Sequence, residues 1–374
     1  MKIAFCVVKN IARGGGIEKY TLELGSRLVQ LGHEVVVYSM RHYGDVPPQQ
    51  EGMRIVPVHS LQLPCTEKIT SSLDAAVRST FCRGADIVHF HSVASGSFAW
   101  IPRLLAGRRC VLQFHGLEWM RSRWGSLGSF VLRQLEETSV RQSHAITAVS
   151  RTQCDFLRQR YGLPVTYIPT GAVVKDPPAA EEILKLGLEP GKYVLFASRL
   201  VSEKGAHFLI PAFRRLKTDC KLVIAGDVKG ERAYKAHLRE LAGGDERILF
   251  PGYVTGRLLE ELFAHALVYV QPSQLEGLSI ALLEAMSYGR CCLVSDIPEN
   301  LEAVGPAGVS FRNGNVDDLS LALAGLLDDA STTLHLGHSL VERVRLEYDW
   351  NQIARDCERM YEQMIGGQLA AQSN

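Results

Sequence analysis

Glu276 and Glu284 stand eight residues apart in QPSQLEGLSIALLEAMSYG. Their type and spacing suit a ligand that is rich in hydroxyls and carries phosphate. An apolar run ends near Gln271, Pro272 and Ser273 open a loop, and a helical pattern begins around Ser279 and stops at Gly289. With Glu276 at the junction of loop and helix, Glu284 falls two turns deeper, roughly 12 Å away. That reach fits one nucleotide sugar, with one carboxylate on sugar hydroxyls and the other on ribose hydroxyls, which carboxylates bind strongly. Between them the amides of Gly277, Leu278 and Ser279 would meet a diphosphate at a helix N-terminus. Gly277 lets the backbone come close. A surface helix with two unrelated glutamates has the same bare spacing. The preceding strand and the glycine turn favour the site.

Arg199 and Lys204, in FASRLVSEKG, follow another apolar run and precede a helical stretch over 206–216. Two fixed cations there neutralise a diphosphate without a metal ion, the arginine as a fork and the lysine as a point charge; a solvated loop with ordinary charges also fits. No Asp-x-Asp pair follows a strand, so no metal is expected. Gly14, Gly15 and Gly16 precede Ile17, Glu18 and Lys19 and would bring amides close to phosphate or sugar oxygens. They do not form G-x-G-x-x-G, so taken alone they favour a plain flexible turn and argue against a dinucleotide site. His115, in QFHGLEW, closes a buried strand, where it would touch a sugar or serve packing. His89 and His91 share a strand face, a pair short of a zinc site and suited to packing or pocket lining. Trp119, Met120, Arg121, Arg123 and Trp124 form a basic aromatic cluster that suits an acceptor groove, a membrane interface or a loop cap.

These residues need strands that end beside one another. Strand patterns run over 2–8, 34–39, 54–58, 86–91, 110–115, 145–150 and 165–170, then 193–198, 221–225, 247–250, 268–271 and 292–295. Most are continuous apolar runs, the mark of parallel strands buried on both faces. Ile17, Tyr20, Leu24, Leu28 and Leu31 recur at helical spacing before Gly32, which completes a strand–helix–strand unit. The alternation stops over 170–190, a stretch with three prolines, and then restarts. The fold class is therefore α/β, with two doubly wound domains whose ligands lie beyond the carboxyl ends of the strands, in a cleft between them. The expected division is a first domain over 1–172, a linker over 173–190, a second domain over 191–349, a helix over 350–366 and a frayed tail over 367–374.

At 374 residues, 46% apolar and 22% charged, the chain has the size and composition of a two-domain globular protein. Its nine cysteines are scattered without metal-ligand spacing and read as reduced thiols of a cytoplasmic protein. MKIAFCVVKN lacks the long apolar region of a signal peptide, and no stretch approaches the roughly 20 apolar residues of a membrane span. The net charge of +1 conceals an uneven split, with about 20 Lys+Arg against 12 Asp+Glu up to Val174. A basic first half favours an anionic partner such as a phospholipid surface, a lipid diphosphate or nucleic acid; chance plus a solvated surface also accounts for it.

The chain resembles glycosyltransferase family 4, the large retaining GT-B family. GGGIEKY, the strand ending in His115, ITAVS, YIPTGA, FASRLVSEKG, LVIAGD, FPGYV, QPSQLEGLSIALLEAM and VSDIPEN arrive in the family's order over nearly the whole chain. The resemblance implies two Rossmann-like domains facing across a cleft, with a C-terminal helix crossing back to the first. It implies transfer of a hexose from a UDP-, GDP- or ADP-sugar to a glycan or lipid-linked acceptor, with no cofactor, no metal and no nucleic-acid partner. In that scheme Glu276 contacts the sugar, Glu284 the ribose, and Arg199 and Lys204 the diphosphate. The amides of Gly277, Leu278 and Ser279 complete that pocket. Gly15 and Gly16 approach the phosphates, and His115 sits against the transferred sugar. Glu118, Trp119 and Arg121, which follow His115, would line the acceptor side. Many members have His-Asp where this chain has His115-Gly116, so no aspartate is carried over. The place of action is the cytoplasm, with peripheral contact at the inner face of the membrane through the basic first half. A nucleotide-sugar epimerase or hydrolase on the same architecture is the alternative, and it would convert the donor without an acceptor. A noncatalytic binding protein would have a broken Arg199/Lys204/Glu276 set.

Overall fold

The computed structural model describes residues 1–12, 15–62, 66–81, 84–120, 124–228 and 230–367, which fall into two compact units. Unit 1 comprises Met1–Thr170 and the segment from Trp350 onward; unit 2 is Gly171–Asp349.

In unit 1 the strands are β1 (Lys2–Val8), β2 (Glu34–Met40), β3 (Gln49–Gln50), β4 (Met53–Val58), β5 (Ile87–Phe90), β6 (Arg109–Phe114), β7 (Ala145–Ala148) and β8 (Val165–Tyr167). The helices between them are α1 (Gly16–Gln30), α2 (Thr66–Phe81), α3 (Val93–Gly96), α4 (Trp100–Ala106), α5 (Ser126–Gln142) and α6 (Arg151–Tyr161). The sheet order is β3-β4-β2-β1-β5-β6-β7-β8, parallel except for β3. The direction of winding reverses between β1 and β5, the point beyond which such sheets bind ligands. One face packs on α2, α4 and α5 through Ala76, Ile101 and Leu132. The other packs on α1, through Tyr20, Leu24 and Leu28, and on the last helix of the chain.

Unit 2 contains α7 (Glu182–Lys185), β9 (Tyr193–Ala197), α8 (Ala206–Arg214), β10 (Lys221–Ala225), α9 (Arg232–Ala242), β11 (Ile248–Gly252) and α10 (Gly256–His265). It continues with β12 (Val268–Gln271), α11 (Ile280–Ser287), β13 (Cys291–Ser295), α12 (Pro298–Val304), β14 (Val309–Phe311), α13 (Val316–Asp328) and α14 (Ala330–Glu347). Its all-parallel sheet runs β11-β10-β9-β12-β13-β14, so the switch falls between β9 and β12. The final helix, α15 (Trp350–Ile365), lies in unit 1 against α1, burying Trp350, Ile353, Cys357, Tyr361 and Met364.

Three sequence expectations are corrected. The stretch 173–190 is no linker but part of unit 2. Its Ile183 and Leu188 are buried, and Glu261 Oε2 accepts the amides of Glu181, Glu182 and Ile183 at 2.8, 2.7 and 3.2 Å. Two apolar anchors in a polar, proline-rich stretch give too weak a periodic signal to mark it as packed. The sheets also gain β3, two glutamines without apolar alternation, and β14, only three residues long. Helix α11 begins at Ile280 rather than at Ser279, which is its cap. Among the described residues no helix is long and apolar enough to cross a membrane.

Candidate active site

The loops that follow β9 and β12 flank the switch point of unit 2, and they carry the residues singled out first. Lys204 ends a 3-10 turn at Ser202–Lys204, and Gly205 follows at φ +74°. A Cβ on Gly205 would lie 1.8 Å from the carbonyl oxygen of Pro272, so only glycine lets these two loops touch. The amide of Gln274 donates to Glu203 O at 2.9 Å and ties them again.

Across that seam Lys204 Nζ donates to both carboxylate oxygens of Glu276 at 2.6 Å. The side chains are only 13% and 7% exposed, so this is a nearly desolvated ion pair. Such a pair holds two charges in one geometry, and losing either partner strands the other in a dry place. Arg199 lies in the same loop, two residues beyond β9, and is exposed.

Beneath Glu276 lies a buried polar network. Gln271, the last residue of β12, accepts from Tyr269 OH at 3.1 Å and Ser279 Oγ at 2.8 Å, and donates to Asn300 Oδ1 at 3.0 Å. Asn300 of α12 donates in turn to Ser295 Oγ at 2.9 Å, and that hydroxyl donates to Ser273 O. Both ends of the Pro272–Ser279 loop are thus fastened to β13 and α12. Ser279 caps α11, its Oγ accepting from Leu282 N at 3.3 Å. Gly277 and Leu278 therefore lie in the loop before the cap, while Glu284 sits, partly buried, in the second turn of α11. The sequence reading missed Gln271 and Asn300. Two amide side chains, one ending an apolar strand and one following Pro298, were the available signal.

In unit 1 the loop after β1 leads into α1, whose N-cap is Gly15. The carboxylate of Glu18 folds over Gly15, where an added Cβ would be 2.2 Å from it, and accepts from Lys9 N at 3.0 Å. Gly16 is the first residue of α1; Gly14 lies outside the described residues.

His115, just past β6, packs edge-on against Tyr20 with ring centroids 4.7 Å apart. Its Nε2 lies 3.3 Å from His91 Nδ1, and His91 Nε2 lies 3.4 Å from Thr21 Oγ1 of α1. His89 stacks on His91 and reaches Tyr361 OH of α15 at 2.6 Å. Burial, helped by neighbouring imidazoles, pushes His89 down to about 3 and His91 well below the ordinary histidine value. Both are neutral, buried hydrogen-bonding side chains.

Glu118 and Trp119 are turned inward. Lys68 Nζ of α2 donates to Glu118 at 2.9 Å, and Trp119 Nε1 donates to Glu136 Oε2 at 3.1 Å. Burial raises the Glu136 carboxyl, against the lowering effect of Tyr161, Arg160 and Trp119. Arg121 and Arg123 lie outside the described residues. A cavity of about 420 Å³ lies at the opposite, amino ends of β1, β2 and β4, lined by Lys2, Glu34, Arg54 and Arg78, away from all of these side chains.

Two doubly wound sheets, with charged loops at the switch point of the second, make up an α/β architecture of the GT-B type. Residues 180–343 match the family model for glycosyl transferases group 1, and residues 14–175 match that for glycosyltransferase family 4. The chain belongs to this group 1/family 4 glycosyltransferase family.

It is 30% identical over 175 residues to an uncharacterized glycosyltransferase of Methanocaldococcus jannaschii, a match covering 46% of this chain and 44% of that protein. It is 26% identical over 370 residues to the phosphatidyl-myo-inositol mannosyltransferase of Mycolicibacterium smegmatis, covering 96% and 92% of the two chains. Among solved structures, sucrose-phosphate synthase from Thermosynechococcus elongatus superposes with a TM-score of 0.85 at 21% identity, covering 98% of this chain and 99% of that one. The Anabaena protein HepE in complex with UDP and glucose gives 0.81 at 17% identity, covering 97% and 100%.

Proposed function

We propose that this glycosyltransferase moves a hexose from a UDP-, GDP- or ADP-sugar onto a hydroxyl of a glycan or lipid-linked acceptor, with retention and without a metal ion. The observation that carries the reading is the Lys204–Glu276 pair at the switch point of unit 2. It puts a fixed cation for a diphosphate beside a fixed carboxylate for sugar hydroxyls. The solved complex of HepE with UDP and glucose supports a nucleotide-hexose donor, and the name of the mannosyltransferase relative supports a lipid-linked acceptor.

In this scheme Arg199 and Lys204 stabilise the departing diphosphate, Glu284 holds the ribose and Glu276 the hexose. The bond from the anomeric carbon to the phosphate oxygen breaks, and the acceptor oxygen bonds that carbon from the same face. A departing phosphate oxygen takes the acceptor proton, so no protein base is consumed. His115 orients the sugar. The reaction takes place in the cytoplasm, where the described cysteines remain free thiols.

Thermal-shift screening against UDP-, GDP-, ADP- and dTDP-sugars identifies the donor, because a ligand of the folded state raises the melting temperature by mass action. With that donor and an acceptor extract, Glu276→Ala and Lys204→Ala are each expected to lower transfer by about 100-fold or more. Near-normal transfer by both variants rejects the assignment. Conversion of the donor without any acceptor would mark an epimerase or hydrolase instead.

A further inference from the structure

Three rings enclose the imidazole of His91 and fix its plane. His89 stacks on it with ring centroids 4.8 Å apart, Phe5 of β1 lies tilted at 5.2 Å, and Tyr20 of α1 stands edge-on at 5.7 Å. All four side chains are buried. His91 is the first residue past β5, and its amide donates to Cys6 O of β1 at 3.0 Å. It therefore lies where the winding of the unit 1 sheet reverses, beyond which such sheets bind ligands.

Each ring nitrogen of His91 faces a polar side chain. Nδ1 lies 3.3 Å from His115 Nε2, and Nε2 lies 3.4 Å from Thr21 Oγ1 of α1. A neutral imidazole has one donor and one acceptor nitrogen, whereas a hydroxyl can serve as either. Thr21 thus completes either tautomer of His91, and the tautomer of His91 decides whether His115 Nε2 donates or accepts. Tyr20 braces the other side of His115, edge-on at 4.7 Å, and its hydroxyl donates to Gln113 Oε1 at 3.3 Å. Gln113 of β6 is held in turn by donating to Ile168 O at 3.2 Å and accepting from Thr147.

Thr21, His91 and His115 therefore form a line of polar groups that runs outward from the core. Thr21 and His91 are buried, and His115 is its partly exposed end. Apolar packing would fill the inner positions at less cost, since buried polar groups must be fully matched to be tolerated; what a matched set supplies is one defined geometry. With 1% of its surface exposed, His91 is too deep to meet a substrate. We propose that His91 is a positioning residue for the transfer, holding the ring and the tautomer of His115 for the sugar through the Nδ1–Nε2 hydrogen bond. The inference rests on the reading that His115 orients the transferred sugar.

An amide placed at one end or the other of the lost ring tests it. In His91→Asn the amide stands where Nδ1 stood and can still bond His115; in His91→Gln it reaches the place of Nε2 and serves Thr21 alone. Both are assayed in the full chain with the UDP-, GDP-, ADP- and dTDP-sugar panel and an acceptor extract, and the matching nucleoside diphosphate is titrated as an inhibitor. His91→Gln is expected to lower kcat/KM for the sugar donor by about tenfold with the diphosphate's inhibition constant unchanged, while His91→Asn stays within about threefold of the parent. Equal losses in the two variants that follow their melting temperatures would make His91 merely structural and overturn the proposal. Where neither variant folds, Thr21→Val decides, because it removes the far hydroxyl at nearly constant shape; a fall of about threefold in kcat/KM supports the proposal and a parental value overturns it. His115→Ala is the reference. If it transfers as the parent does, the sugar contact fails and this inference with it; if it is impaired while His91→Gln is not, the inference alone is overturned.

Discussion

Lys204 and Glu276 each have the other as a close partner in a nearly dry setting, so a substitution at either one acts on stability as well as on chemistry. Lys204→Ala removes the cation held against a carboxylate with only 7% of its side chain exposed, and is expected to destabilise unit 2 by about 3 kcal/mol. The measurement is urea unfolding of the variant beside Lys204→Ala/Glu276→Ala, in which the stranded charge is gone and much of the loss should be recovered. Gln271 makes a different case, because it touches no proposed substrate atom. Gln271→Leu removes the acceptor of two buried hydroxyls and the donor to Asn300, and should cost about 2–3 kcal/mol. If the network positions Glu276, donor KM should rise more than stability alone explains, and Gln271→Glu should restore part of it. An unchanged KM would make the network merely structural.

Loops and helices decide whether those residues meet. Gly205→Ala would drive a methyl group into the Pro272 carbonyl at a positive φ, so the β9 and β12 loops must part. Donor-induced stabilisation in a thermal-shift assay is expected to vanish in that variant, while Gly191→Ala, whose added Cβ meets nothing within 4 Å, should keep it. Glu261 plays the corresponding part for α7. Burial raises its carboxyl, but Arg257 and three backbone amides outweigh that and hold it below the usual range. Most strands were legible because two-faced burial in a parallel sheet forces continuous apolar runs, as in Val268–Gln271 and Lys221–Ala225. Glu276 and Lys204 were legible from their loops. The packing of 173–190 was not, because it rests on Ile183, Leu188 and a carboxylate nearly eighty residues away. The His91–His115 contact was likewise hidden, since it joins the ends of two strands adjacent only in the folded sheet.

The units differ in charge and in their response to acid. His89 and His91 stay neutral when folded, yet would protonate in the unfolded chain below about pH 6.5. The stability that they contribute is complete above that pH. It is lost as pH falls from about 6.5 toward the folded value of about 3 for His89, by about 1.4 kcal/mol per pH unit for each histidine. Unit 2 contributes no comparably depressed, deeply buried histidine among its described residues, and its lowered carboxyls, Glu189, Asp227, Asp245, Glu261 and Asp329, respond only at more acid pH. Calorimetry between pH 7 and 5 should therefore show the transition of unit 1 moving down first, and His89→Gln/His91→Gln should flatten that slope; parallel movement of both transitions would contradict it.

Unit 2 also interrupts unit 1 in the order of synthesis. The chain leaves unit 1 at Thr170 and returns at Trp350, and the two crossing points are tied within unit 2 by Ala172 N donating to Tyr348 O at 3.0 Å. A ribosome therefore delivers all of the inner unit before α15, the helix that covers Tyr20 and Leu24 of α1. The inner unit can close its own sheet while the outer one still waits with an oily flank uncovered. A chain truncated after position 349 should accordingly yield a protease-resistant second half beside a digestible first half, and the last sixteen helical residues to emerge would complete the part of the molecule that was begun first.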